Sequence, residues 1–130
     1  MEQTPKKFKA QLKLLQKALT SFEAALRQRP TDFMRDSAIQ RFEYVFELSW
    51  KTLQTALSYS GVEARSPRAT IRAGFELGLL KTPRRWFSAL EQRNLTSHTY
   101  DERLARSVYR HIKTFPPLVH ALLSALQRLQ

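Results

Sequence analysis

The sequence predicts an all-α fold, an antiparallel bundle of about five helices forming one domain over residues 1–130. Three observations predict it. Apolar residues recur at three- and four-residue intervals rather than alternating, only three glycines interrupt the chain, and Ser-Pro and Thr-Pro pairs stand where helices would begin. With 42% apolar residues the chain can fill one core.

The first helix is the plainest. Phe8, Leu12, Leu15, Leu19, Phe22 and Leu26 draw one apolar stripe that ends near Arg29-Pro30. A second helix is expected from about Asp36 to Ser60, carrying Ile39, Phe42, Val45, Phe46, Trp50, Leu53 and Leu57, with Gly61 just past its end. Glu47 and Lys51 form a favourable i,i+4 pair on its surface. Ser66-Pro67 and Thr82-Pro83 each read as an N-cap followed by proline at the first helical position, opening shorter third and fourth helices. The last helix is expected to start at Thr99, with Thr99 and Glu102 in a capping box. Its stripe of Leu104, Val108, Ile112, Phe115, Val119, Leu122, Leu126 and Leu129 keeps phase through Pro116-Pro117, which predicts a kinked helix buried on the same face before and after the kink.

Composition narrows the function. Lys and Arg number 22 against 11 Asp and Glu, a net charge of +11, so an anionic partner is the first to consider. The absence of cysteine excludes disulfides, thiol nucleophiles and thiolate metal sites. The histidines His98, His111 and His120 lack metal-ligand spacing, and there is no glycine-rich phosphate loop, so neither a metal nor a cofactor is expected. No run approaches the ~18 consecutive apolar residues of a membrane span. Lysines break up the N-terminal stretch, unlike a secretory leader, and a cytoplasmic location away from membranes is expected.

One segment departs from helical periodicity. Residues 93–102 gather Arg93, Asn94, His98 and Tyr100 at the junction before the last helix. Asn94 and His98 share a face on a continuous helix, whereas Arg93 and His98 lie about 140° apart, so they converge only if the helix ends, the arginine curls, or a second chain contributes. Two readings stand. These residues cap helix ends, as polar junction residues commonly do. Alternatively, Arg93 holds a phosphate, His98 transfers a proton beside the start of the last helix, and Asn94 orients His98. Arg68, Arg72, Arg84 and Arg85 are further candidates for RNA or phosphate contact, as are the N-terminal lysines Lys6, Lys7, Lys9, Lys13 and Lys17. Solvated helix faces are the usual explanation of such residues.

Arg93-x-x-x-x-His98-x-Tyr100, set between Trp86-Phe87-x-x-Leu90 and Asp101-Glu102, resembles the signature of HEPN domains of the HepT type. Ile39-Gln40-Arg41-Phe42-Glu43-Tyr44-x-Phe46-Glu47-Leu48-x-Trp50-Lys51 and Phe75-Glu76-x-Gly78-Leu79 are similar to the nucleotidyltransferase substrate-binding branch, and the likeness covers roughly residues 8–128. The resemblance implies a helical homodimer working with a nucleotidyltransferase of the MNT type as a toxin and antitoxin pair. It further implies metal-independent RNA cleavage by Arg93 and His98 where two protomers meet, and silencing by AMP addition to Tyr100. The same branch includes non-catalytic substrate-binding subunits, so both functions remain expectations.

Overall fold

In the computed structural model, which describes residues 5–130, the stripe beginning at Phe8 becomes α1 (Lys6–Leu26). Residues 1–4, part of the leader reading above, lie outside the described residues. Phe8, Leu12, Leu15, Leu19 and Phe22 are buried, and Leu26 is partly so. After a short turn the chain returns as α2 (Asp32–Tyr59), which starts a turn earlier than the sequence suggested. The Thr31 hydroxyl accepts a hydrogen bond from the Met34 amide at 3.2 Å, an N-cap the periodicity had concealed. The two helices are antiparallel: Phe8 near the start of α1 packs edge-on against Tyr59 at 6.4 Å, and Phe22 near its end meets Phe42 at 6.2 Å. Gly61 leaves α2 with φ of +81°, the left-handed conformation that glycine adopts without steric cost.

The next helix, α3 (Pro67–Glu76), is capped as predicted, the Ser66 hydroxyl accepting from the Ala69 amide at 3.1 Å. It lies close to α2: a Cβ on Gly74 would stand 2.8 Å from Leu53 Cδ2, so any larger residue there would displace Leu53. Then come α4 (Pro83–Leu95), a 3-10 turn at Thr96–His98, α5 (Glu102–Ile112) and α6 (Pro116–Gln127).

Among the described residues six α-helices therefore replace the expected five, because Pro116-Pro117 does not kink one helix but starts another. A helix leaves its first amides unsatisfied, so two residues without an N–H cost little there and much in an interior. The buried face carries through the break, with Val108, Ile112, Phe115, Val119, Leu122 and Leu126 inside and Leu104 partly so, whereas Leu129, past the end of α6, is exposed. Phe115 sits at the break and organises the core, with ring centroids 5.2 Å from both Phe42 and Trp86 and 6.0 Å from Phe46. Burying each such ring contributes about 1.5–3 kcal/mol. Among the described residues no helix is long and apolar enough to cross a membrane.

Candidate functional site at the α4–α5 junction

Trp86, Ala89 and Leu90 turn one face of α4 into the core, and Arg93 follows them one turn later. That register directs its guanidinium at α2, where Nη2 donates to Glu47 Oε1. Nη1 donates to Asn94 Oδ1 at 3.2 Å. The other Glu47 oxygen accepts from the Trp50 indole at 3.2 Å and lies 3.7 Å from the Lys51 ammonium, so the anticipated Glu47–Lys51 pair forms but is secondary. Arg93 and Glu47 are each about a third exposed, at 32% and 30%. Part of the guanidinium thus stays in contact with solvent while one edge is fixed.

Beyond Leu95 the chain tightens. The Thr96 hydroxyl donates to the Arg93 carbonyl at 2.6 Å, the Thr99 hydroxyl donates to the Thr96 carbonyl at 3.1 Å, and the Asp101 amide donates to the His98 carbonyl at 3.1 Å. Asp101, not Thr99, caps the following helix: its carboxylate accepts from the amides of Arg103 and Leu104 at 3.0 and 3.2 Å. The expected capping box is absent because the 3-10 turn engages the Thr99 hydroxyl and an aspartate, an equally good cap, follows two residues later. The amides expected to receive a phosphate beside His98 are consequently occupied by the Asp101 carboxylate. This start to α5 removes that part of the sequence expectation.

His98 and Tyr100 project from the turn. Both are exposed, Tyr100 at 86%, and their rings meet edge to face with centroids 6.0 Å apart. Asn94, expected to orient His98, instead bonds Arg93. The fold therefore assembles two neighbouring groups, Arg93 with Asn94 and Glu47, and His98 with Tyr100, separated by the end of α4.

A second arginine from α2 holds the junction in place. Arg35 is buried and donates to Glu102 at 2.5 and 3.3 Å and to Asp36 at 3.1 Å, with Asp32 at 3.6 Å. The hydrogen bond from Arg35, reinforced by the charges of Arg35 and Arg106, holds the Glu102 carboxyl below its ordinary range. Hydrogen bonding to Glu102 in turn raises the Arg35 guanidinium above its already high value. Neither this anchor nor the Glu47–Arg93 pair was anticipated. Arg35 had been placed before the helix, and the Glu47 partner lies too far along the chain for a spacing rule to find.

The remaining candidates are dispersed. Arg68 stacks over Phe87 at 4.9 Å, and Arg72, Arg84 and Arg85 are exposed. Arg84 and Arg85 lie roughly 12 Å along α4 from Arg93. His111 bonds the Ser107 carbonyl at 2.8 Å, and His120 reaches both Glu23 oxygens at 3.1 Å. Among the described residues no three His, Asp or Glu side chains come together as a potential metal site.

Comparison with known proteins places this architecture. Residues 10–128 match the family described as nucleotidyltransferase substrate binding protein like. A Haemophilus influenzae protein named "Probable ribonuclease HepT" is 35% identical over 89 residues, which cover 65% of this chain and 61% of that relative. A Thermus thermophilus crystal structure superimposes with a TM-score of 0.83 at 39% identity, covering 88% of this chain and 99% of that one. A Haemophilus influenzae structure, described as revealing the fold of a substrate binding domain of a nucleotidyltransferase, gives a TM-score of 0.80 at 28% identity over 89% and 98%. With its helical fold, its Arg93/His98/Tyr100 signature and these matches, the chain belongs to the nucleotidyltransferase substrate-binding-like family of HepT-type HEPN proteins.

Proposed function

We propose that the protein is a HepT-like ribonuclease toxin that cleaves RNA without a metal, acts as a homodimer in the cytoplasm and is silenced by a partner nucleotidyltransferase. The observation that carries this reading is the exposed His98–Tyr100 ring pair on the turn that follows α4, the helix that carries the partly exposed Arg93 guanidinium. RNA supplies its own nucleophile. His98 takes the proton of a 2'-hydroxyl, the 2'-oxygen attacks the adjacent phosphorus, and the bond to the 5'-oxygen breaks, leaving a cyclic phosphate and a 5'-hydroxyl. Arg93 neutralises the phosphorane, and a second copy of His98 across the dimer cleft protonates the leaving oxygen. Asn94 supports this by holding Arg93 rather than His98. The surplus of positive charge, including Arg68, Arg72, Arg84 and Arg85, draws the RNA backbone to the surface.

Tyr100 is exposed enough to receive AMP from ATP, and a nucleotide esterified to its oxygen would place negative charge and a bulky base beside His98. The partner is thus an MNT-type antitoxin. One observation favours the non-catalytic, substrate-binding alternative: Arg93 is already paired with Glu47, which lowers its availability to a phosphate.

The test is made on the purified, unmodified protein. RNA is expected to be cut in EDTA and DNA spared, and after incubation with the nucleotidyltransferase, ATP and magnesium the mass should rise by AMP units while cleavage stops. Tyr100→Phe should still cut and gain no mass. RNA left intact by unmodified protein would replace this reading with the substrate-binding one.

A further inference from the structure

The Glu47 carboxylate is held from two sides by different parts of the molecule. Its Oε1 accepts from Arg93 Nη2 on α4. Its Oε2 accepts from the Trp50 indole at 3.2 Å, one turn along α2, and lies 3.7 Å from the Lys51 ammonium. Lys51 is exposed, so solvent screens its pull on the carboxylate. The indole N–H is directional and belongs to a ring packed partly against the core, so Trp50 sets the angle at which Glu47 meets Arg93.

That angle matters because an arginine and a carboxylate commonly pair through two parallel hydrogen bonds. Here Arg93 donates to Glu47 through Nη2 alone, its Nη1 goes to Asn94 Oδ1 at 3.2 Å, and its Nε makes no hydrogen bond among the described residues. With Oε2 engaged by the indole, Glu47 presents a single oxygen to Arg93. The guanidinium keeps donors for a second anion.

Given the phosphate contact proposed above for Arg93, on which this rests, we infer that Trp50 is a positioning residue for Arg93. It acts through Glu47: by occupying the second carboxylate oxygen it keeps the ion pair single-pronged and leaves the guanidinium able to take an RNA phosphate. Without the indole N–H, Glu47 turns both oxygens onto Arg93 and saturates it, as three carboxylates saturate Arg35. The two α2 residues therefore act in opposite directions. Loss of the Glu47 charge strengthens phosphate binding, and loss of the Trp50 donor weakens it.

The test measures the affinity of the full chain for an RNA methylated at every 2'-oxygen, so that binding is read without cleavage, alongside kcat and KM on the unmodified RNA. Trp50→Phe is one variant. Replacement of Trp50 by benzothienylalanine, which keeps the shape of the indole with sulfur in place of the N–H, is the second and preserves the packing. Each should weaken binding and raise KM by about tenfold, the scale of one hydrogen bond to a charged group, with a smaller change in kcat. In the Glu47→Gln background both replacements should leave affinity unchanged, because an amide has one acceptor and cannot grip two guanidinium nitrogens. The proposal is overturned if both replacements bind as wild type does, if they tighten binding, or if they weaken it equally in the Glu47→Gln background. Wild type that binds the methylated RNA through Arg93, as judged by Arg93→Ala, and cuts no RNA would contradict the ribonuclease reading and leave this one standing. Absence of Arg93-dependent binding would overturn both.

Discussion

Arg35 on α2 and Arg93 on α4 each pair with carboxylates across the interface with α2, and the contrast between them separates structural from solvent-facing charge in this protein. Arg35 is 9% exposed along its side chain and faces three carboxylates, Asp32, Asp36 and Glu102. Arg93 is 32% exposed and faces one, Glu47. A guanidinium surrounded by carboxylates is saturated and has little left for a phosphate. One with a single carboxylate on one edge is oriented and still has donors facing solvent. Arg35 therefore fixes where α5 begins, and Arg93 keeps donors facing solvent, which the proposed phosphate contact requires.

The largest effect should come from the open side of this comparison. His98→Ala is expected to lower cleavage by about 10²- to 10⁴-fold with an unchanged melting temperature, since the ring is exposed and no described residue bonds it. Arg93→Ala should cost about 10²- to 10³-fold in rate and also weaken binding and its dependence on salt. Melting curves measured alongside both variants distinguish lost chemistry from lost fold. An Arg93→Ala rate equal to wild type would remove the basis of the contrast.

A smaller effect is expected from Glu47→Gln. The amide still accepts a hydrogen bond from Arg93 but no longer neutralises it, so RNA binding should tighten at low salt while the rate falls by roughly tenfold through looser positioning. Separate measurement of KM and kcat sharpens the comparison, because a purely structural Glu47 would move neither in this opposed way.

On the saturated side, Arg35→Met should lower stability by on the order of 1 kcal/mol, with the screening of its solvent-exposed carboxylates limiting the loss. Denaturant unfolding provides the measurement. The smallest effect concerns pH. The Glu102 carboxyl lies below its ordinary range when folded, so its contribution is fully present above the unfolded value and disappears as pH falls through the folded one. Wild type should lose stability across that acidic window more steeply than Glu102→Gln, and parallel curves would show that the Arg35 contact carries no linkage.

Local rules made much of the fold legible. The stripe of α1, the Ser66 cap and the buried phase through Phe115 and Val119 could all be read because helical periodicity and capping are short-range. The misread boundaries share a cause. Thr31 caps a turn of α2 that lies ahead of its apolar stripe, Asp101 replaces Thr99 as the cap of α5, and the prolines at 116 and 117 cost less at a helix start than inside one. At the site, Arg93, His98 and Tyr100 were visible through their motif. Glu47 and Arg35 were not, because each depends on contacts between elements far apart in sequence, which no spacing rule reports.

The central claim is that the open junction of Arg93 and His98 cleaves RNA through the substrate's own 2'-hydroxyl. The most direct measurement uses one RNA with a mapped cut, and a copy carrying a single 2'-deoxy residue at that position, each incubated in EDTA with wild type and His98→Ala. The account predicts cutting of the unmodified RNA by wild type alone and none of the deoxy copy at the mapped position. Cutting of the deoxy copy at that position, or undiminished cutting by His98→Ala, would contradict it.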